Sequence, residues 1–193
     1  FYDVPKFAEF LEKNVIFYRA RRGDLAGERL VKRFGVRSTP FLLFLNGDGK
    51  EIDWIAGYQP PPEKLLKKIQ GILAGTDTIP ALEAARAKDP KDPEPLIKLG
   101  LKYQARNERA KALKLFEEAA ALDPDGSKTL TRESGEAVSC KELAEFHHAQ
   151  TFVTTFGLYD IDAVRDFIRT HPSSPLIKDA YTEISRFYRL EDG

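Results

Sequence analysis

The spacing of apolar side chains changes character near residue 75. Before that point, helical spacing alternates with short apolar runs. Phe7, Phe10 and Leu11 share one face of VPKFAEFLEKN, with Pro5 tolerated in the first turn and Asn14 placed to stop the helix. Residues 15–18, VIFY, read as a buried strand, being β-branched and aromatic and too short a run for a helix. Helical spacing returns over residues 25–34, LAGERLVKRF, through Leu30, Val31 and Phe34, and ends at Gly35. After Pro40, FLLFL is a continuous apolar run of the kind found where both faces of a sheet are covered. NGDG supplies residues that accept positive φ, so it reads as a tight turn leading into EIDWIAG. The proline-opened PPPEKLLKKIQGIL is an amphipathic helix. The predicted order is helix, strand, helix, strand, hairpin, strand, helix.

Beyond residue 78 no segment makes a convincing strand, and the pattern becomes a repeat. LEAARAKDP ends at Pro90 and FEEAAALDP at Pro124, a separation of 34. Between them Leu96, Leu99, Gly100, Tyr103, Ala112, Phe116 and Ala119, followed by Pro124, fall on positions 4, 7, 8, 11, 20, 24, 27 and 32 of a unit beginning at Pro93. This spacing resembles the tetratricopeptide repeat. Small Gly100 and Ala112 are expected where two helices touch, with Tyr103 and Phe116 filling the space to the next pair. The polar stretch DGSKTLTRESGEAVS interrupts the repeat as an inserted loop or a small hairpin. Helices are then expected over residues 141–156, in DIDAVRDFIRTHP, and over residues 175–188, with Pro172 and Pro175 stopping one helix and starting the next.

FGVRSTPFLLFLNGDGKEIDWIAGY, preceded by LAGERLVKRF, resembles the thioredoxin superfamily, in particular domains akin to bacterial periplasmic disulfide reductases. The resemblance covers roughly residues 1–73. It implies a cis peptide bond before Pro40, with the backbone of Thr39 free to pair with a bound substrate strand, and it matches Gly57 to a glycine of the next strand. The competing reading of RSTP is a strand-entry turn with an ordinary trans proline. The family's mechanism is thiol–disulfide exchange by a C-x-x-C pair, yet the sequence has one cysteine, Cys140, far from Pro40. The strand that precedes that pair, central in the family's sheet, has no counterpart either. A start at Phe1 without any methionine fits the same picture. The expectation is therefore an upstream extension of about 20 to 30 residues in the natural protein, from the usual length of a strand and its turns.

The fold class that follows is an α/β thioredoxin-like domain, incomplete at its N-terminus, over residues 1–75. AGTDT joins it to an all-α, tetratricopeptide-like domain over residues 78–193. Composition adds little to this. Of 193 residues, 30 are basic and 30 acidic, with 13 basic and 9 acidic before residue 76 and 17 and 21 after it. That balance gives no electrostatic reason to expect nucleic acid, and no apolar run reaches the ~20 residues of a membrane span. No cofactor and no metal site are expected. His147 and His148 point to different sides of a helix, and His171 precedes Pro172 in a turn, as a cap or a solvated side chain.

The expected partners are protein or peptide clients gripped by the helical repeats. Substrate contacts are assigned to Thr39, Pro40, Trp54 and Tyr58, with Trp54 equally suited to the core. Arg19, Arg21 and Arg22 form a basic cluster that suits either an acidic partner or a solvated loop. The function implied is a thiol–disulfide oxidoreductase or redox chaperone whose cysteine pair lies upstream, the chain as given being inactive. Its rival is a non-catalytic adaptor. A third reading, hydrolysis by Cys140 and His147, has no orienting group to support it. The resemblance to periplasmic domains favours the cell envelope over the cytoplasm.

Overall fold

A computed structural model describes residues 5–21, 23–37, 39–57, 61–132, 134–153 and 160–191. The chain divides into two compact units, residues 1–81 and 82–193.

In the first unit, helices α1 (Pro5–Asn14) and α2 (Leu25–Phe34) precede strands β1 (Phe41–Leu45) and β2 (Glu51–Ala56), and helix α3 (Pro62–Leu73) follows. The strands pair antiparallel, Phe41 opposite Ala56 and Leu43 opposite Trp54, with a register shift between Phe44 and Leu45. Asn46 makes the turn, its side-chain oxygen accepting the N–H groups of Asp48 at 3.1 Å and Lys50 at 2.9 Å. Phe7 and Leu11 of α1, Ile55 of β2 and Leu65, Ile69 and Ile72 of α3 form the core, with Phe10, Leu42 and Phe44 packed against it. Helix α2 lies close to the segment that leads into it. A Cβ on its Gly27 would come within 1.9 Å of the Arg21 carbonyl oxygen, so no side chain fits there.

One predicted strand is absent. Residues 15–20 form neither helix nor strand, and Ile16 is 102% and Tyr18 68% exposed. The residue types suit a strand, but a strand exists only where a neighbour takes up its N–H and C=O groups, and neither sheet among the described residues includes this segment.

Helix α4 (Ile79–Lys88) spans the division between the units. The second unit continues through α5 (Glu94–Ala105), α6 (Arg109–Ala121), β3 (Thr129–Thr131), β4 (Ala137–Ser139), α7 (Cys140–Val153), α8 (Asp162–Thr170) and α9 (Ile177–Glu191). It is largely helical. Helix α6 packs between α5 and α7, and α8 packs against α7 and α9. Leu96, Leu99 and Gly100 of α5 and Ala112, Phe116 and Ala119 of α6 are all buried. A Cβ on Gly100 would meet Cε1 of Phe116 at 2.4 Å, so the ring of one helix fills the space that the glycine of the other leaves.

The polar interruption forms the hairpin β3–β4, one of the two forms expected for it, pairing Thr129 with Ser139 and Leu130 with Val138. Buried Asp123 holds that insertion to the helices. Its carboxylate accepts the N–H groups of Lys128 at 3.0 Å and Lys141 at 3.1 Å, and the Ser139 hydroxyl at 3.5 Å. Arg132, just past β3, adds an ion pair to Asp179 of α9 at 2.5 Å.

Candidate functional site

In the first unit the point of interest is the short connection between α2 and β1. The Thr39–Pro40 peptide bond is cis. Both residues are exposed, and the Pro40 carbonyl accepts the Gly57 N–H at 2.9 Å, which fastens the loop to the end of β2. Among the described residues no hydrogen bond engages Thr39. Its N–H and C=O therefore stand at the surface, next to the first rung of a ladder, where an extended segment can pair with them. Three residues along the same ladder, about 10 Å at the strand rise, Trp54 lies opposite Leu43 and is 7% exposed. Little of it reaches the surface. Tyr58, the fourth residue assigned to substrate, lies outside the described residues, as does Arg22 of the basic cluster, while Arg19 and Arg21 are exposed.

Beside Trp54 the sequence reading passed over Asp53, which is fully buried and accepts the Trp54 N–H at 2.8 Å on its Oδ1. The signal was present in the alternation of EIDWIAG. A period of two puts Asp53 on the face of Ile55, a core residue.

In the second unit the Cys140–His147 pair has no nucleophilic chemistry. Cys140 opens α7, where a helix N-terminus would draw a thiol towards thiolate. The opposite occurs. The residue is 2% exposed, and burial, reinforced by Asp123, Asp92 and Glu94 against Lys128, pushes the thiol up to about 11. It stays protonated at neutral pH, and His147 is not among the groups acting on it. His147 is itself buried and held neutral by desolvation, with its Nδ1 2.9 Å from the Gln150 side-chain oxygen. Gln150 in turn donates to buried Glu183 at 2.9 Å. Its ring stacks on Phe116 at 5.8 Å between centroids, so His147 is a packing residue.

His148 and His171 lie elsewhere, on the walls of a groove of about 650 Å3 between α6, α7 and α8. His148 pairs with Glu117 at 3.2 Å. His171 pairs with Glu145 at 2.7 Å, while its backbone N–H caps α8 by donating to the Phe167 carbonyl at 2.9 Å. Among the described residues no three histidine, cysteine, aspartate or glutamate side chains are placed to hold a metal ion, and no helix is long and apolar enough to cross a membrane.

Residues 2–72 match the family model of a thioredoxin-like domain. No curated protein and no solved structure matches the chain.

Proposed function

From a chain that carries a thioredoxin-like domain at its N-terminus and a largely helical part after it, we propose a role in thiol–disulfide exchange on protein clients. The observation that carries this reading is the exposed Thr39–Pro40 segment, anchored through Pro40 to Gly57 and with no hydrogen bond to Thr39 among the described residues. There a client strand pairs with Thr39 and lies across Pro40.

The attacking thiolate comes from a cysteine pair upstream of Phe1 in the natural protein. It attacks one sulfur of the client disulfide and the other sulfur leaves as a thiolate. The second cysteine of the pair then breaks the mixed disulfide. Two electrons pass to the client, which ends with two thiols, and the pair ends as a disulfide. Exposed Ile16 and Tyr18, and a half-buried FLLFL strand that among the described residues pairs only with β2, support a sheet that takes a further strand. Cys140, protonated and buried, takes no part.

The helical part acts in this reading as a client-recruiting module. Support for a tetratricopeptide-like pair in α5–α6 comes from the 34-residue spacing and from Gly100 seated against Phe116. Reduction of insulin by dithiothreitol, followed as turbidity, tests the reading. The natural protein with its upstream residues is expected to accelerate it, and residues 1–193 alone to leave the rate unchanged. Acceleration by residues 1–193 would defeat the assignment of the sulfur chemistry to an upstream pair.

One observation favours a second reading. The sole cysteine of this sequence is buried, which suits a non-catalytic adaptor in which the thioredoxin-like domain only binds. Insulin bound by the natural protein but not reduced would establish it.

A further inference from the structure

The groove between α6, α7 and α8 has an apolar floor and an acidic rim. Half-buried Ala120 is the open part of the floor, over buried Phe116, Ala149 and Phe167, and its small side chain lets another chain approach closely. Three carboxylates stand over it, one from each helix: Glu117, Glu145 and Asp166. The one ammonium group in the lining, that of Lys141, is drawn to the Pro124 carbonyl at 3.0 Å.

Each carboxylate commits a single oxygen. Oε1 of Glu117 meets His148 at 3.2 Å, Oε2 of Glu145 meets His171 at 2.7 Å, and Oδ1 of Asp166 meets exposed Arg169 at 2.9 Å. The second oxygen of each has no partner among the described residues. An ionised carboxylate has room for about four donors, so the rim holds unused acceptors above a floor with nothing polar to offer. The whole chain balances 30 basic against 30 acidic residues, which makes this excess a local feature.

We infer that this groove docks a peptide segment of a protein partner in which arginine or lysine alternates with small apolar side chains. The apolar side chains lie on the alanine floor, and the guanidinium or ammonium groups donate to the free oxygens of Glu117, Glu145 and Asp166. Arginine suits the rim better than lysine, because its planar fork presents five donors. A volume of about 650 Å3 lies within the ~300–1,000 Å3 that encloses a drug-sized ligand, which sets the docked segment at a few residues. The inference rests on the reading of the helical part as a client-recruiting module and gives that module its preference.

The test uses residues 1–193 and two short fluorescent peptides, one alternating arginine with alanine and one alternating glutamate with alanine, followed by anisotropy. The arginine peptide is expected to bind and the glutamate peptide not to. Charge reversal at two rim positions, Glu117→Lys with Asp166→Lys, is expected to weaken the arginine peptide at least tenfold. Both side chains are about two-thirds exposed, 66% and 65%, so the fold tolerates the change. The isosteric Glu117→Gln with Asp166→Asn is expected to weaken binding several-fold and guards against misfolding of the first variant. Reversal of exposed Glu83 and Asp48, equal in net charge but not part of the groove's lining, is expected to leave binding as in the unaltered chain.

Equal binding of both peptides would overturn the inference, as would a control variant that loses as much as the rim variant. Insulin separates the two levels of the argument. If the unaltered and rim-reversed chains capture it equally, the groove assignment fails while recruitment stands. If the chain binds neither peptide nor insulin, recruitment itself fails.

Discussion

Burial decides the chemistry of Cys140. A thiol at a helix N-terminus is the ordinary description of a reactive cysteine, yet this one is buried and feels the charges of Asp123, Asp92 and Glu94. With its pKa at about 11, its thiolate fraction at pH 8 is roughly a hundredfold below that of an unperturbed cysteine. Alkylation by iodoacetamide at that pH is therefore expected to be at least that much slower in native buffer than in urea, where burial is lost. Equal rates would contradict the burial. His147 gives a second outcome at this scale. Desolvation lowers its pKa in the folded chain below the 6.5 of a free histidine. As pH falls through about 6.5 the unfolded chain takes up the proton first, so the stability His147 contributes is complete above that pH and declines below it. It levels off once the folded imidazole is also charged. Denaturant unfolding of the native chain and a His147→Phe variant, compared between pH 8 and 5, is expected to show the steeper acid loss in the native chain.

At the scale of elements, the contact between α5 and α6 is the most tightly determined, because Gly100 has no room for a methyl group beside the Phe116 ring. Gly100→Ala gains ~1 kcal/mol of helix propensity but overpacks a buried ring at a cost of ~1–3 kcal/mol, a net loss of up to about 2 kcal/mol. The midpoint of urea unfolding should fall accordingly, and a rise would mean that the helices separate freely at this point. The sequence placed Gly100 where these helices touch because small residues recur at such offsets, while Phe116, expected to fill the space to the next pair, also fills the space beside that glycine. The sequence disclosed the β1–β2 hairpin because the Asn46 turn and the apolar run name both turn and strands locally. Residues 15–18 failed for a complementary reason. VIFY carries the side chains of a strand, but a strand's hydrogen bonds belong to its neighbour, and none of the described residues supplies one. The β3–β4 hairpin remained ambiguous between loop and hairpin, since Thr129, Leu130 and Thr131 are too few to set an alternation and Asp123, which holds the insertion, is distant in sequence.

At the scale of the whole molecule, each unit carries a proposed site of a different kind: an exposed backbone segment at Thr39–Pro40 and a groove of apolar floor and carboxylate rim. The cis proline of the first followed from the family resemblance that RSTP and its flanks carry, where the local pattern alone left a trans turn open. Its proposed substrate contacts were less legible, since Trp54 proved buried and only the fold could decide that. The groove was illegible, because its walls come from three helices and its carboxylates lie 28 and 21 residues apart along the chain. The most direct measurement is amide hydrogen exchange on the natural protein, with and without a bound client peptide that carries a disulfide. The account predicts slower exchange at Thr39 and the adjoining start of β1 when the client binds, together with protection along α6, α7 and α8. Protection confined to the helical unit while the client remains bound would contradict it and leave the thioredoxin-like domain without a part in presenting the disulfide.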